Sequence, residues 1–568
     1  MTATVASPLT KPEGAHSADA KPKLGLRAWM ERVLVECGRA AAGFDADPVH
    51  DLRVALRRCR SLADGMIAID PDASWKDMKK AGRKLFQALG ELRDMQVMQE
   101  WIEKLSGLDH LTADHLSSAD STPRDLGLRD VSDPIVDPAV VKLFDHIHAR
   151  EMECKQLAFK DLNQFDRKQW RQWSKSLPQR AARVRPGSAV YLHLALEKWT
   201  AAYDLHKHAL RTRSRVSLHA LRIGIKRFRY AVENFLPRQH ALWGSDLKEL
   251  QDLLGEVHDL DVLLAKALEI HAFPDAASRD RWRQKLNTER AKRIDRYREM
   301  MVGKDSLWRV WRAELPVGPA LRAAAMNRLR VWAGYLDPDF QHSERVERLA
   351  LLLYDGLLRA GLLAAVHAAE GGADRDPRAI LQAAALMHDV GKFKNDQNHH
   401  KASYRMIRGL ARPLGWSARE LELAAVIVRY HRGALPHPRG KTVQLLDLPD
   451  RPLAMELAGV LRLANALDIR HGHGQNDHHY DTEVAPRLEV SVDVSVDVSV
   501  KDRCIVVRVP GYSPLDRSAQ DVAAARHLIE TVLRRPVLVK ALRSQGSNGS
   551  AGSASPGRHG VTEKTLNR

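Results

Sequence analysis

The chain has 568 residues, 89 Lys+Arg against 71 Asp+Glu for a net charge of +18, and 44% apolar residues. That apolar share supplies real cores and excludes wholesale disorder, and the length fits two large domains or three to four of about 150 residues. Cys37, Cys59, Cys154 and Cys504 lie far apart with no Cys-x-x-Cys, which excludes a zinc ribbon and a disulfide framework and points to a reducing cytoplasm. The first residues lack an apolar stretch, and nowhere do about 18 apolar residues run together. Neither export nor a membrane span is expected.

From the N-terminus, residues 1–22 read as a disordered tail. Two segments then recur as an ordered pair. HDLRVALRRCR at 50–60 returns as HALRIGIKRFR at 219–229, and LGELRDMQVM at 89–98 returns as LGEVHDLDVL at 254–263. Recurrence at nearly constant separation marks a duplicated unit of about 150 residues. At about 100° per residue, His50, Arg53, Arg57 and Arg60 share an arc of about 80°, as do His219, Arg222, Lys226 and Arg229. Leu52, Leu56 and Cys59, and likewise Leu221, Ile225 and Phe228, fall on the opposite side, so both helices are amphipathic. Arg58 and Arg227 sit at the flank of each stripe.

The charge is concentrated here. Between Arg167 and Arg229 stand 16 Lys/Arg and two acids, Glu197 and Asp204. A solvated basic face ordinarily interleaves acids at i+4, and neither stripe contains one. Four like charges on one face therefore call for an anion. Asp94, Asp259 and Asp261 read as ion-pair partners within the bundle. The rest of the sequence to about 312 reads as helices, with Pro71, Pro178, Pro186, Pro237 and Pro274 at breaks and a loop around 106–137. No helix-turn-helix, zinc or RNP pattern and no repeated aromatic platform is present, which leaves nucleic acid a remote reading.

These motifs resemble the CHAD family, the conserved-histidine α-helical domain, over about 25–312. The resemblance implies a two-fold pseudo-symmetric helical bundle whose basic central surface binds inorganic polyphosphate. The implied contacts are His50, Arg53, Arg57, Arg60, His219, Arg222, Lys226 and Arg229.

After residue 318 the texture changes to apolar helices punctuated by His and Asp. His388-Asp389 ends the apolar run AILQAAALM and is followed by Gly391 and Lys392. His342, His400, His431 and Asp468 surround it in sequence, and a carboxylate on the apolar helix Leu457 to Leu467 is costly to bury unless paired or metal-bound. The run His471, His473, His478, His479 reads as a polar loop. LQAAALMHDVGKF, HHKASYRMI, AAVIVRYHRGALP and LRLANALD resemble the HD superfamily of metal-dependent phosphohydrolases. More closely, 340–540 is similar to the C-terminal domain of exopolyphosphatase/guanosine pentaphosphatase (Ppx/GppA) proteins. The actin-like N-terminal domain of those proteins has no counterpart here.

That resemblance implies one divalent metal held by His342, His388, Asp389 and Asp468, and a second bridged by Asp389 to His400 and His431. Nitrogen and carboxylate donors suit Mn, Fe, Ni or Zn. Asp389 and Lys392 are the implied catalytic residues, with Lys392 and Arg429 or Arg432 offsetting phosphoryl charge.

The expected chain is mainly α. A duplicated helical bundle spans 23–312, an all-helical HD domain with a small terminal β-hairpin and a last helix at 517–534 spans 318–543, and a disordered tail spans 544–568. The expected function is polyphosphate binding coupled to phosphohydrolysis of polyphosphate or of a phosphorylated nucleotide such as (p)ppGpp. The alternative is a non-catalytic polyphosphate-binding scaffold or sensor. A homodimer, cytoplasmic residence and association with polyphosphate granules fit either reading.

Overall fold

The computed structural model describes residues 25–106, 138–369, 375–468, 496–501, 503–515 and 518–542. Both expected tails, the 106–137 loop from 107 onward and the 471–479 histidine run lie outside the described residues. The chain divides into two compact units, 1–336 with 413–416, and 337–412 with 417–568. No described helix is long and apolar enough to cross a membrane.

The first unit is helical throughout its described residues. Its elements are α1 (Leu26–Ala40), α2 (Ala46–Ile67), α3 (Ala73–Ala88), α4 (Gly90–Ser106), α5 (Pro138–Asn163), α6 (Arg167–Ala181) and α7 (Ala189–Thr212). They continue with α8 (Arg215–Phe235), α9 (Pro237–Glu269), α10 (Ala276–Met301), α11 (Leu307–Ala313) and α12 (Gly318–Leu336). The duplicated motifs fall on α2 and α8, then on α4 and α9. The apolar backs of both stripe helices are fully buried: Leu52, Leu56, Cys59, Leu221, Ile225 and Phe228 each show 0% exposure. Hydrophobic periodicity thus placed the basic faces by default, since the opposite side of each helix is committed to the core.

Pro71 and Pro186 sit in breaks and Pro237 opens α9, where a missing N–H costs nothing. Pro178 departs from expectation and lies inside α6. It stands in the last turn, so only one intrahelical hydrogen bond is lost near an end that frays in any case.

Asp70 clamps this core. Its buried carboxylate accepts from Trp75 Nε1 at 2.7 Å and from Arg180 Nε and Nη2 at 2.7 and 2.6 Å, tying the α2–α3 turn to α6. A buried carboxylate is tolerable only when its lone pairs are so matched.

The second unit contains α13 (Phe340–Arg359), α14 (Ala364–Ala369), α15 (Pro377–Met387), a 3-10 turn at Val390–Phe393, α16 (His399–Arg408), α17 (Ala418–Arg429), α18 (Lys441–Gln444) and α19 (Asp450–Leu467). It closes with β1 (Asp497–Lys501), β2 (Cys504–Val509), α20 (Ser518–Leu533) and β3 (Val537–Ala541). The hairpin and last helix match expectation: β1 runs antiparallel to β2, with Val498 opposite Val507. A third strand follows. β3 returns parallel to β2 after the α20 crossover, giving the order β1-β2-β3. VLVKA is too short to carry a strand pattern alone, and its neighbour β2 makes it one.

Asp70→Ala is expected to destabilise the first unit by about 3 kcal/mol, because it leaves Arg180 and the Trp75 indole facing no acceptor. Chemical denaturation followed by circular dichroism measures the shift.

Candidate functional site

Two sets of polar groups stand out, one in each unit. In the second, α15 buries nearly every side chain from Ile380 to Met387 and ends on His388 and Asp389, themselves 0% and 2% exposed. Three imidazoles are fixed in the same way. His388 Nδ1 faces the Ala385 carbonyl at 2.7 Å, His399 Nδ1 that of Asp396 at 2.6 Å, and His431 Nδ1 that of Val428 at 2.8 Å. A carbonyl only accepts, so each Nδ1 carries the proton and each Nε2 presents a lone pair.

Those lone pairs converge on Asp389. His388 Nε2 lies 3.4 Å from Oδ2, while His399 and His431 Nε2 lie 3.1 and 3.6 Å from Oδ1. His399 and His431 Nε2 are 3.1 Å from each other. Lone pairs facing one another at this distance repel unless a cation lies between them. Correspondingly, His388 Nε2 and Asp389 Oδ1 are buried with no hydrogen-bond partner. Two donor groups result, His342–His388–Asp389 and Asp389–His399–His431, each with ligand atoms within 4.8 Å of one another. Asp389 belongs to both, and the residues fit a pair of bridged metal ions.

The electrostatics agree with that donor set. Burial lowers the pKa of His388 despite the opposing pull of Asp389, and burial with the neighbouring His388 holds His431 well below its ordinary value. Burial alone would raise Asp389, but its surroundings, with the Lys392 ammonium against it, hold it well below the carboxylate range. Neutral His388 and His431 beside an ionised Asp389 are the protonation states that metal binding requires.

The expected residues are not all placed alike. His342, His388, Asp389 and His431 come together. His400, expected as a ligand, is replaced in the second group by His399. Ser403 explains the choice: its hydroxyl donates to the His388 carbonyl and accepts from the Gly391 amide, both at 2.8 Å. The α16 face against the turn is therefore 399–403–407, and His400 lies about 100° round the helix. Gly391 permits this approach, since a Cβ there would stand 2.2 Å from the His399 carbonyl oxygen. Asp468 also departs from expectation and joins neither group. It accepts from His342 Nδ1 at 2.7 Å and from Arg345 Nε at 2.9 Å. Burial opposes its ionisation, but His342 and Arg345 bring it down to about 2. Lys392 Nζ sits 2.6 Å from Asp389 Oδ2. His400 is lowered to about 4 by burial and by the cations Arg429, Arg432 and Lys401 nearby.

In the first unit the two basic stripes meet. A cavity of about 260 Å³ has Arg57, Arg222 and Lys226 on one side and Asp252, Glu256 and Asp259 of α9 on the other. Burial lowers Lys226 to about 7, helped by Arg57, Arg222, Arg53 and Arg60. Burial likewise raises Asp259 to about 6 against the pull of Arg222.

The copies are not equivalent. Arg53 donates to the Phe86 carbonyl at 3.0 Å and stacks 4.2 Å from that ring, and Arg60 lies 4.9 Å from it. The second copy has Gln251 where the first has Phe86, so Arg222 opens on the cavity while Arg53 is covered. Arg229 lies 3.8 Å from Glu233, which also engages Arg58. His50 and His219 are exposed near the starts of their stripes, and His219 Nδ1 is 3.3 Å from His258 Nδ1. Asp261 pairs with Arg215 and Arg290 at 3.1 and 3.2 Å, the ion-pairing role read for it.

The depressed pKa of Lys226 has a consequence for stability. Between about pH 7 and its ordinary value of 10.5 the unfolded chain binds the proton that the folded chain has released, so stability rises with pH across that window. Denaturation midpoints from pH 7 to 10 are expected to rise for the native protein and to flatten in Lys226→Met.

Comparison with known proteins finds two family models along the chain. The CHAD domain model matches residues 26–268, and that of the Ppx/GppA phosphatase, domain III, matches 324–497. Among solved structures, the CHAD domain from the plant Ricinus communis is 21% identical, covering 51% of this chain and 88% of its own, with a TM-score of 0.30. No curated protein matches the chain.

Proposed function

We propose that this protein, a CHAD domain joined to a Ppx/GppA phosphatase domain III, grips inorganic polyphosphate in its first unit and hydrolyses a phosphoryl bond in its second. The convergence of three bare Nε2 lone pairs on a buried Asp389 carries the enzymatic reading. Satisfied structural histidines would point a proton at that carboxylate, whereas these turn their protons to backbone carbonyls. His342, His388 and Asp389 would hold one divalent ion, and Asp389, His399 and His431 a second. Mn, Fe, Ni or Zn suits this nitrogen-rich set. Such ions, when bound, supply an activated water and a Lewis acid for a phosphoryl oxygen.

The protein's own groups do the rest. Asp468, neutralised by Arg345, holds the His342 ring in place. Ser403 and Gly391 hold His399 against the turn. Lys392 beside Asp389, and Arg429 and Arg432 near His400, offset the charge that builds on phosphoryl oxygens. The substrate is polyphosphate or a phosphorylated nucleotide such as guanosine tetra- or pentaphosphate. Tethering on polyphosphate raises the effective concentration of the former.

Arg57, Arg222 and Lys226 support the binding half. Burial, helped by the neighbouring arginines, depresses Lys226, and an anion placed among these cations restores its charge. A non-catalytic polyphosphate sensor is the second reading, favoured by Lys392 closing on Asp389.

Metal analysis separates the ligand assignments. His388→Ala with Asp389→Ala is expected to lose both ions and all phosphate release while still binding polyphosphate. His399→Ala is expected to lose about half the metal, and His400→Ala to retain it. A phosphate-release panel of polyphosphates, guanosine tetra- and pentaphosphate and cyclic nucleotides then decides between enzyme and sensor, since silence from the metal-loaded protein supports the sensor.

For the groove, Arg57→Glu with Lys226→Glu is expected to weaken polyphosphate binding at least about tenfold with little change in helicity. Unchanged affinity would make the stripe a solvated surface.

A further inference from the structure

His388 differs from His399 and His431 in what stands behind its ring. Those two give their Nδ1 protons to backbone carbonyls alone, which is enough to fix their tautomers. The His388 Nδ1–H donates to the Ala385 carbonyl at 2.7 Å and also meets the Ser343 hydroxyl at 3.4 Å, the longer arm of a shared bond. Ser343 Oγ in turn donates to Asp337 Oδ2 at 2.6 Å. An ionised carboxylate only accepts, so the hydroxyl hydrogen points to Asp337 and a hydroxyl lone pair faces the ring.

The fold alone does not account for Asp337. It is 6% exposed, and both Ser343 and His388 are fully buried. Its Oδ1 accepts from the Asp339 amide at 3.1 Å, and among the described residues no cation pairs with it. The start of α13 has its own cap in Asp339, whose side chain accepts from the His342 amide. Two hydrogen bonds return only part of what it costs to bury a carboxylate without a counter-charge. The bare Nε2 of His388, across the ring from Ser343, is where a cation would answer that charge.

We infer that Asp337, acting through Ser343, is a positioning residue for the ion at His342, His388 and Asp389: it holds the His388 ring and strengthens its Nε2 as a donor. The inference rests on the metal reading of this site. Bonds in a buried chain polarise one another, so the negative end at Asp337 pushes electron density through the Ser343 hydroxyl toward the imidazole. A carboxylate behind a ligating imidazole makes it the stronger base toward a metal. His388 belongs to this donor group and not to that of His399 and His431, so the effect falls on one ion of the pair.

Cobalt(II) titration of the full metal-free chain tests this, with uptake followed by visible d–d absorption and by competition with a chelator. Asp337→Asn keeps the shape and removes the charge, and is expected to weaken one ion by about 10–100-fold and shift its absorption while the other stays within about threefold. Ser343→Ala removes only the connecting hydroxyl and is expected to weaken the same ion by a smaller factor. Denaturation midpoints of the metal-free variants are measured alongside. Lower midpoints with cobalt affinity and absorption unchanged would make Asp337 a structural anchor and overturn the inference. Equal weakening of both ions overturns the assignment to the His388 site. If the native chain takes up no cobalt, the metal reading itself fails and this inference falls with it.

Discussion

Asp389 is a carboxylate carried out of water at the end of a helix built from alanine, leucine and isoleucine, and its surroundings are arranged to answer that one charge. An isolated ionised carboxylate in such a place would cost far more than the stability of a typical domain. Protonation would remove the cost, yet the group stays ionised, with the Lys392 ammonium against it. Burial keeps His388 and His431 neutral, and all three imidazoles turn Nε2 toward the carboxylate. Only Lys392 brings a full positive charge, which leaves His388 Nε2 and Asp389 Oδ1 unsatisfied. A divalent cation resolves both deficits together. The rest of the second unit positions these donors: the Gly391 turn lets α16 approach, Ser403 sets its rotation, and Arg345 with Asp468 orients His342.

The first unit faces the opposite problem. Its centre collects cations from two copies of one helix, and the strain registers on Lys226, which is desolvated and has four arginines around it. The acids of α9 relieve part of this. Asp259, partly desolvated and close to Asp94, is itself driven upward. The result is a cavity of mixed charge whose protonation and stability are coupled to pH and to whatever anion enters it.

Duplication did not yield two equal sites. Phe86 covers Arg53 in the first copy, and its counterpart Gln251 leaves Arg222 uncovered in the second. One aromatic side chain thus shifts the open part of the basic surface toward one half of the pseudo-symmetric bundle. Beyond the stripe, Glu233 takes up Arg58 and weakens the case for Arg229 as a free contact.

Much of this was legible in the amino-acid order. The helical class, the duplication, the basic faces with their buried backs, the His388-Asp389 turn and the β1–β2 hairpin with its following helix all rest on local periodicity and spacing, which a linear chain displays directly. The choice between His399 and His400 was not legible. Adjacent identical residues differ only in helix phase, and Ser403 docking from twelve residues beyond the Gly391 amide sets that phase. Asp468 is legible as a carboxylate at the end of an apolar helix, but packing gives it His342 and Arg345 as partners in place of the expected metal. β3 became a strand because β2 offered it an edge, and Pro178 was tolerated because its turn lies at a helix end. The sequence by itself determined which residues carry charge and which face of each helix they occupy. The tertiary structure alone decided which charges remain unmatched, because a counter-charge is a neighbour in space and not in sequence.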